Sequence, residues 1–207
     1  NSLLNSGVTY LISGPVSGTM DLASSSATFS GEVAYEQSGS NISGAGDVNN
    51  DGYQDVLIGA QSADPAAGSN AGAVYLMSGP FSGDIGVQSA ATATLVGENA
   101  GDNAGRSVSA AGDVNGDGYD DIIIGAKRND SSGVDAGSAY LVLGPINGTV
   151  ELSSADGIFR GESAGSEAGI SVANAGDVSG DGSPDLLVGG YKNDSETGAA
   201  YLILGDS

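Results

Sequence analysis

Short apolar runs, separated by glycine-rich polar stretches, recur along the whole chain. Three of them, VLIGA (56–60), IIIGA (122–126) and LLVGG (186–190), are continuous and rich in β-branched residues. Four others begin at a tyrosine, and the first three of these end at a Gly-Pro pair, which cannot extend a central strand. No segment keeps a helical spacing of apolar residues over three turns, so the pattern predicts short strands throughout.

These runs belong to a long internal repeat. A stretch that begins AGDV occurs at 45–60, 111–126 and 175–190, so its first aspartate recurs at intervals of 66 and 64 residues. A further element, an apolar residue followed by x-Gly-Glu, occurs once per repeat and ends at Glu32, Glu98 and Glu162. With a weaker strand before each AGDV stretch, one repeat holds four short strands, which is typical of a β-propeller blade. A solenoid is the second interpretation, and shorter, more uniform repeats would favour it.

The predicted fold is therefore all-β, with β-propeller blades of four antiparallel strands and about three blades in the chain. We count 13 candidate strands: two in a partial leading blade (1–36), four each in two blades (37–99 and 100–163), and three in a blade that lacks its last strand (164–207). Propellers usually close with about four to eight blades, so this chain is not expected to form a ring alone. Either the remaining blades of a longer chain complete the ring, or a second copy does, with the leading strands at 7–15 and 27–31 supplying the strand missing after Leu204.

The loop between the first two strands of each blade carries oxygen-bearing side chains at loop positions 1, 3, 5 and 9. Glycine follows position 5 in every copy, where a sharp turn with positive φ is expected. Position 7 would add its backbone carbonyl. The candidate metal ligands are Asp47, Asn49, Asp51, Tyr53 and Asp55 in the first loop, Asp113, Asn115, Asp117, Tyr119 and Asp121 in the second, and Asp177, Ser179, Asp181, Ser183 and Asp185 in the third.

This ligand pattern predicts three Ca²⁺ sites. Ca²⁺ takes about six to eight oxygen ligands, and alternate residues of a tightly curled loop point inward. The loop is similar to the start of an EF-hand, but position 12 is Ile58, Ile124 or Val188 within an apolar strand rather than Glu. Asp, Asn and Gly also form turns without a metal, yet three carboxylates in each of three loops would repel one another strongly unless neutralised. Ca²⁺ is favoured over Mg²⁺, which usually keeps several of its waters.

Composition narrows the class of function. The chain has 26 acidic and 5 basic residues, a formal net charge of -21, so it is expected to repel nucleic acid and anionic membrane surfaces. It contains no Cys and no His, which excludes disulfides, thiolate metal sites and histidine general bases. No run approaches the length of a transmembrane helix, and membrane insertion is not expected. The N-terminal residues lack the basic start of a signal peptide, so any leader is expected to have been removed.

The repeated residues resemble the FG-GAP repeat of integrin α-subunit propellers and of many bacterial surface proteins. The likeness rests on D-x-[NS]-x-D-G-x-x-D followed by an apolar strand and Gly-Ala. The sequence departs from the family pattern at its Phe and Pro positions. Ser38, Ala104 and Ala168 stand for the Phe, and Gln61, Lys127 and Tyr191 stand for the Pro, whereas the glycine after each Phe position is kept.

The resemblance implies a function as well as a fold. It places structural Ca²⁺ on one face of the propeller and an unknown protein or carbohydrate ligand on the other, in loops such as 63–71 and 129–136. We therefore expect a non-catalytic, extracellular or cell-surface adhesion or recognition module. The alternative is a propeller segment of a secreted, Ca²⁺-dependent hydrolase or lyase. It would need an Asp/Glu or Ser-Lys arrangement, and the sequence singles out none outside the metal loops.

Overall fold

The computed structural model describes residues 3–193 and 197–205, apart from the side chain of Asn193. This part of the chain contains fifteen strands, one helical turn, α1 (Val87–Ala90), and two short 3-10 turns. The strands are β1 (Val8–Leu11), β2 (Ala27–Ser30), β3 (Asn41–Gly46), β4 (Asp55–Ala60), β5 (Ala73–Met77), β6 (Gly83–Gly86), β7 (Ala93–Val96), β8 (Ala104–Gly112), β9 (Asp121–Ala126), β10 (Ser138–Val142), β11 (Gly148–Glu151), β12 (Gly157–Arg160), β13 (Ser171–Gly176), β14 (Asp185–Asn193) and β15 (Thr197–Ile203).

The strands form four sheets. A leading sheet has the order β1-β2-β6, and the next, which we call blade 1, has the order β3-β4-β5-β7-β11. Blade 2 is β8-β9-β10-β12, and blade 3 is β13-β14-β15. Neighbouring strands pair antiparallel from β3 to β7 in blade 1 and throughout blades 2 and 3. The first strand of each blade has a bulge just before the aspartate loop. The four sheets are part of a β-propeller and do not close into a ring, which confirms the predicted all-β propeller architecture.

Two strands, β6 and β11, were not among the thirteen expected from the sequence. Each pairs in parallel with the outer strand of the preceding sheet, β6 with β2 and β11 with β7. Their sequences, GDIG and GTVE, contain a single large apolar residue each. Such segments become strands because a partner edge is present, which short-range pattern does not reveal. Blade 1 therefore has five strands, the fifth being parallel, rather than the four antiparallel strands predicted.

Three apolar cores lie between successive sheets. In β9, Ile122 and Ile124 face blade 1, whereas Ile123 between them packs in the core shared with blade 3. In β4, Leu57 packs toward blade 2 and Ile58 toward the leading sheet. This alternation explains why β4 and β9 are continuous apolar runs after their initial aspartate, since both faces of each strand are covered.

The outermost sheets leave edges and faces open. Leu187 and Leu202 of blade 3 are exposed, 38% and 50%, because no further sheet covers that side in the described part of the chain. At the other end, β2 is paired on both edges, by β1 and by β6. Completion of the ring, by further blades or by a second copy, stays a prediction, and β2 has no unpaired edge with which to extend another sheet.

Glycines allow the backbones of neighbouring blades to approach closely. The glycine of the apolar strand, Gly59 in β4 or Gly125 in β9, lies against the backbone carbonyl of a glycine in the next blade, Gly105 or Gly169. Gly105 and Gly169 have φ of 81° and 80°, a region that favours glycine. A Cβ atom on Gly125 would overlap the Gly169 carbonyl oxygen. The family's glycines are thus kept here by backbone-to-backbone packing, even where its Phe and Pro are replaced.

Replacing Gly125 with alanine is therefore expected to destabilise the protein by about 2–3 kcal/mol, because the new methyl group must push two backbones apart. Gly189→Ala is the matched control: Gly189 occupies the same position in blade 3, where its Cβ would meet only the rotatable Ser171 hydroxyl. That control is expected to change stability by less than about 0.5 kcal/mol. Urea unfolding of the two variants measures the difference, and equal losses would contradict the packing role of Gly125.

Candidate metal centres

The three aspartate loops lie at one end of the blades, each between the first and second strand. Loop 1 runs from β3 to β4, loop 2 from β8 to β9, and loop 3 from β13 to β14. The glycine after position 5 has φ of 89° in loop 1 (Gly52), 92° in loop 2 (Gly118) and 100° in loop 3 (Gly182), which confirms the expected positive φ. The chain thus turns sharply at the same point of every loop.

Side-chain oxygens of loop 1 hold the curled backbone through its own N–H groups. Asp47 accepts hydrogen bonds from the N–H of Asp51 (3.0 Å) and from the N–H of Gly52 (2.9 Å). Asn49 Oδ1 accepts from the same Asp51 N–H at 3.0 Å, and Asp51 Oδ1 accepts from the N–H of Tyr53 at 2.9 Å. Because Asp47 Oδ1 and Asn49 Oδ1 share one donor, positions 1 and 3 are held close together beside the backbone of position 5.

Loops 2 and 3 repeat this arrangement. Asp113 accepts from the N–H groups of positions 5 and 6 at 3.0 and 2.9 Å, and Asp117 accepts from Tyr119 N–H at 3.0 Å. In loop 3, Asp177 accepts from the same two positions at 3.1 and 2.9 Å. Ser179 donates from its hydroxyl to Asp177 at 3.3 Å. Loop 3 therefore keeps the curl with a hydroxyl in place of the amide of loops 1 and 2.

The position-9 aspartate is buried, unlike the other candidate side-chain ligands of each loop. Asp55, Asp121 and Asp185 are each 0% exposed at the start of the second strand. Asp121 accepts from Val114 N–H with one oxygen and from Gly144 N–H with the other, both at 2.8 Å. Asp55 and Asp185 likewise accept from the residue after position 1 and from a glycine that follows the third strand. The position-9 carboxylate thus joins the loop to two strands of its own blade.

Burial changes the titration of these carboxyl groups. Desolvation raises the pKa of Asp121 to about 6, although the hydrogen bonds from Gly144 and Val114 oppose it. Desolvation likewise raises the pKa of Asp55. In blade 3 the hydrogen bond from Gly205 N–H is the largest influence and lowers the pKa of Asp185. Ionising Asp55 and Asp121 is therefore costly without a nearby positive charge.

The loops differ in how firmly the rest of the protein holds them. The valine at position 2 is 0% exposed in loop 1 (Val48) and 8% in loop 2 (Val114), but 57% in loop 3 (Val178). Loop 1 is also bonded to loop 2, because Asp120 accepts from Asp47 N–H at 2.7 Å and donates its own N–H to Asp47 O. Asp120 is not among the residues that the sequence indicated. Loop 3 is the least supported of the three.

The donor set of each loop fits a hard cation. It consists of carboxylate, amide, hydroxyl and backbone oxygens, which are the ligands that Ca²⁺ prefers. Within the described residues, however, no three Asp or Glu side chains converge closely enough to hold a metal ion. The structure brings positions 1, 3 and 5 together, while position 9 is directed to backbone N–H groups. The fifteen candidate ligands stay a prediction.

The opposite end of the blades contains a buried polar network that sequence reasoning missed. Asn129, predicted to begin a ligand-binding loop, is 0% exposed and donates to Asp102 (2.8 Å) and Glu98 (3.3 Å). Its amide oxygen accepts from Ser138 Oγ and Ser131 N–H. Asn129 thus links blade 2 to the segment that follows β7, and the exposed residues of that loop begin at Asp130. In the sequence, this network is indicated only by Glu98, which belongs to the glutamate repeated once in every blade.

The stacked sheets with repeated loops define a repeat protein of the β-propeller class. The family model for the FG-GAP repeat matches residues 38–77 and 104–142, so the chain contains FG-GAP repeats. The third aspartate loop lies outside both matched segments.

Integrin alpha chains are similar to this protein over about half its length. Integrin alpha-4 of Xenopus laevis is 34% identical over 113 residues, which cover 49% of this chain and 10% of that protein. Integrin alpha pat-2 of Caenorhabditis elegans is 38% identical over 101 residues, 46% of this chain and 8% of that protein. The chain therefore spans a tenth or less of these relatives. In the described part of the chain, no helix is long and apolar enough to cross a membrane.

Proposed function

We propose that this protein is a Ca²⁺-binding, non-catalytic recognition module of integrin-like propeller type. The observation that supports it best is the hydrogen-bonding pattern of the aspartate loops, which recurs in all three blades. In each loop the position-1 carboxylate accepts from positions 5 and 6, and the position-5 carboxylate accepts from position 7. A turn can form without three carboxylates in one loop, whereas a bound cation would explain why each loop contains them.

The residues of each loop have distinct tasks in this proposal. Positions 1, 3 and 5 supply side-chain oxygens, position 7 its carbonyl, and position 9 the carboxylate that also secures the loop to its blade. Bound Ca²⁺ supplies the positive charge that offsets repulsion among three carboxylates. Because the position-9 residue accepts from N–H groups of two other segments, a cation there stiffens the whole blade. This is a structural task rather than a catalytic one.

The proposal assigns recognition to the opposite end of the blades. The exposed parts of loops 63–71 and 129–136 lie there, away from the aspartate loops. The likeness to integrin alpha chains supports an adhesive role outside the cell or at its surface. Further blades of a longer chain, or a second copy, would complete the propeller ring and with it this binding face.

Calorimetric titration with Ca²⁺ tests the metal assignment directly. We expect three sites per chain, with the site of loop 3 the weakest because its valine is exposed. Asp113→Asn is expected to remove one site, since asparagine offers one acceptor oxygen where Asp113 uses two. Glu151→Gln, an exposed acid outside the loops, is the matched control for lost charge. The proposal fails if the wild type binds no Ca²⁺ or if the two variants bind the same number of ions.

A further inference from the structure

The few basic residues of this acidic protein all lie at one end of the blades. They are Arg106, Lys127, Arg128, Arg160 and Lys192. Arg106 is near the start of β8 and Lys127 directly follows the end of β9, and these two strand ends are neighbours because Ala104 pairs with Ala126. Arg160 ends β12 and lies at the same level, because Arg160 and Ala126 both pair with Ser138. The aspartate loops are at the other end, so all five basic residues are separated from the three carboxylate-rich loops.

Ion pairs within residues 3–193 and 197–205 account for three of these five cations. Glu167 lies between Lys127 (3.3 Å) and Lys192 (3.2 Å). Arg160 is 3.8 Å from Glu98. The guanidinium groups of Arg106 and Arg128 make no ion pair or hydrogen bond within the part of the chain that the structure describes. No contact among the described residues therefore accounts for these two guanidinium groups.

Both unpaired arginines line one open polar cavity of about 490 Å³. Its walls come from the loops after β4 and after β9, from the turn before β8 and from the start of β8. They include Gln61, Asn70, Asn103, Arg106, Lys127 and Arg128. Asn103 fixes these walls, because its amide donates to the carbonyl oxygens of Gln61 (3.1 Å) and Asn70 (3.2 Å). The volume lies in the range of small-ligand pockets, about 300–1,000 Å³. The hydrogen bonds of Asn103 therefore hold the loop after β4 against the turn before β8 at this cavity.

We propose that this cavity, with Arg106 and Arg128 at its wall, binds a side-chain carboxylate of an acidic peptide. Guanidinium groups pair with carboxylates through two parallel hydrogen bonds. The surrounding field of a protein with net charge -21 opposes ligands with many negative charges, so one or two carboxylates suit the site better than nucleic acid or a polyphosphate. No aromatic side chain lines the cavity, so a sugar ring has no surface on which to stack, whereas the amides of Gln61 and Asn70 suit a peptide backbone.

This inference rests on the proposed recognition function and names the chemistry of its ligand. The test uses fluorescence anisotropy at low ionic strength, with Ca²⁺ present, and two labelled glycine-serine peptides that differ only in one Glu or Gln. We expect the Glu peptide to bind more tightly and to lose about tenfold or more in affinity for each arginine replaced, in Arg128→Gln and in Arg106→Gln/Arg128→Gln. Arg160→Gln removes the same charge outside the cavity and is expected to bind like the wild type.

Several results would overturn the proposal. One is that the Glu and Gln peptides bind equally well. Another is that Arg128→Gln, a change at an exposed residue, binds the Glu peptide as tightly as the wild type. A third is that an oligogalacturonate binds more tightly than the peptide. Dimerisation that the double variant abolishes would also overturn it, since a second copy would then fill the site. The calorimetric Ca²⁺ titration separates the two proposals. A protein that binds the Glu peptide but no Ca²⁺ would refute the metal assignment alone, and one that binds Ca²⁺ without preferring the Glu peptide would refute the cavity assignment alone.

Discussion

Removing Ca²⁺ with EDTA is expected to lower the melting temperature by about 15 °C or more, and adding Ca²⁺ back is expected to restore it. A site bound only in the folded state contributes about 2.7 kcal/mol when free Ca²⁺ is 100-fold above its dissociation constant. Three such sites contribute about 8 kcal/mol, which is comparable to the whole stability of an ordinary domain. For a chain of this size, each kcal/mol corresponds to about 2–4 °C.

Controls must separate specific binding from charge screening, because a chain with net charge -21 is stabilised by any added salt. Calorimetric melting curves are therefore compared in EDTA, in EDTA with added NaCl, and after addition of excess Ca²⁺ or Mg²⁺. We expect Ca²⁺ to restore the melting temperature fully and NaCl only slightly. An unchanged melting temperature in EDTA, or equal restoration by NaCl, would show that the loops need no bound calcium.

The strands show what the sequence could predict and what it could not. Strands buried on both faces, such as β4 and β9, are continuous apolar runs after their initial aspartate and were predicted. The parallel strands β6 and β11 were not, because GDIG and GTVE owe their conformation to an edge offered by the preceding sheet. Residues far apart in sequence form that edge, so the local sequence pattern does not predict these two strands.

In the loops, too, some features could be predicted from the sequence and others could not. Their ligand types and the positive φ of Gly52 follow from local spacing and turn chemistry. The burial of Asp55 does not, because its partner Gly79 is 24 residues away. Likewise, the cavity at the opposite end depends on the meeting of Arg106 and Arg128 across a strand pair, and nothing in the repeat pattern marks either arginine.

The second large effect concerns the buried carboxylate of loop 2. Asp121→Ala is expected to cost about 5 kcal/mol or more in Ca²⁺-containing buffer. The N–H groups of Val114 and Gly144 would lose their acceptor, at about 1–3 kcal/mol each, and one Ca²⁺ site would be lost, at about 2.7 kcal/mol. Urea unfolding measures the loss. Asp121→Asn, which keeps one acceptor oxygen, is the milder variant, and Glu151→Ala at an exposed position is the control, expected to lie within about 0.5 kcal/mol of wild type.

Without calcium, the effect of the same substitution depends on pH. Because burial raises the folded-state pKa of Asp121 to about 6, above its unfolded value, ionisation of this group opposes folding. Its contribution to stability is therefore fully present below the unfolded pKa and is lost as pH rises through about 6. In EDTA, the wild type is expected to gain stability relative to Asp121→Ala as pH falls from neutral toward 4, and bound Ca²⁺ should suppress that gain by favouring the ionised form.

These two dependences separate the roles of Asp121. If the carboxylate acts only as a backbone acceptor, the cost of Asp121→Ala will be the same in Ca²⁺ and in EDTA at neutral pH. If it acts only as a ligand, that cost will vanish in EDTA. We expect both contributions, because Asp121 accepts from Val114 N–H and Gly144 N–H and also belongs to a proposed metal loop. A cost that is larger in Ca²⁺ yet still measurable in EDTA is the outcome that connects the metal loops to the stability of the blades.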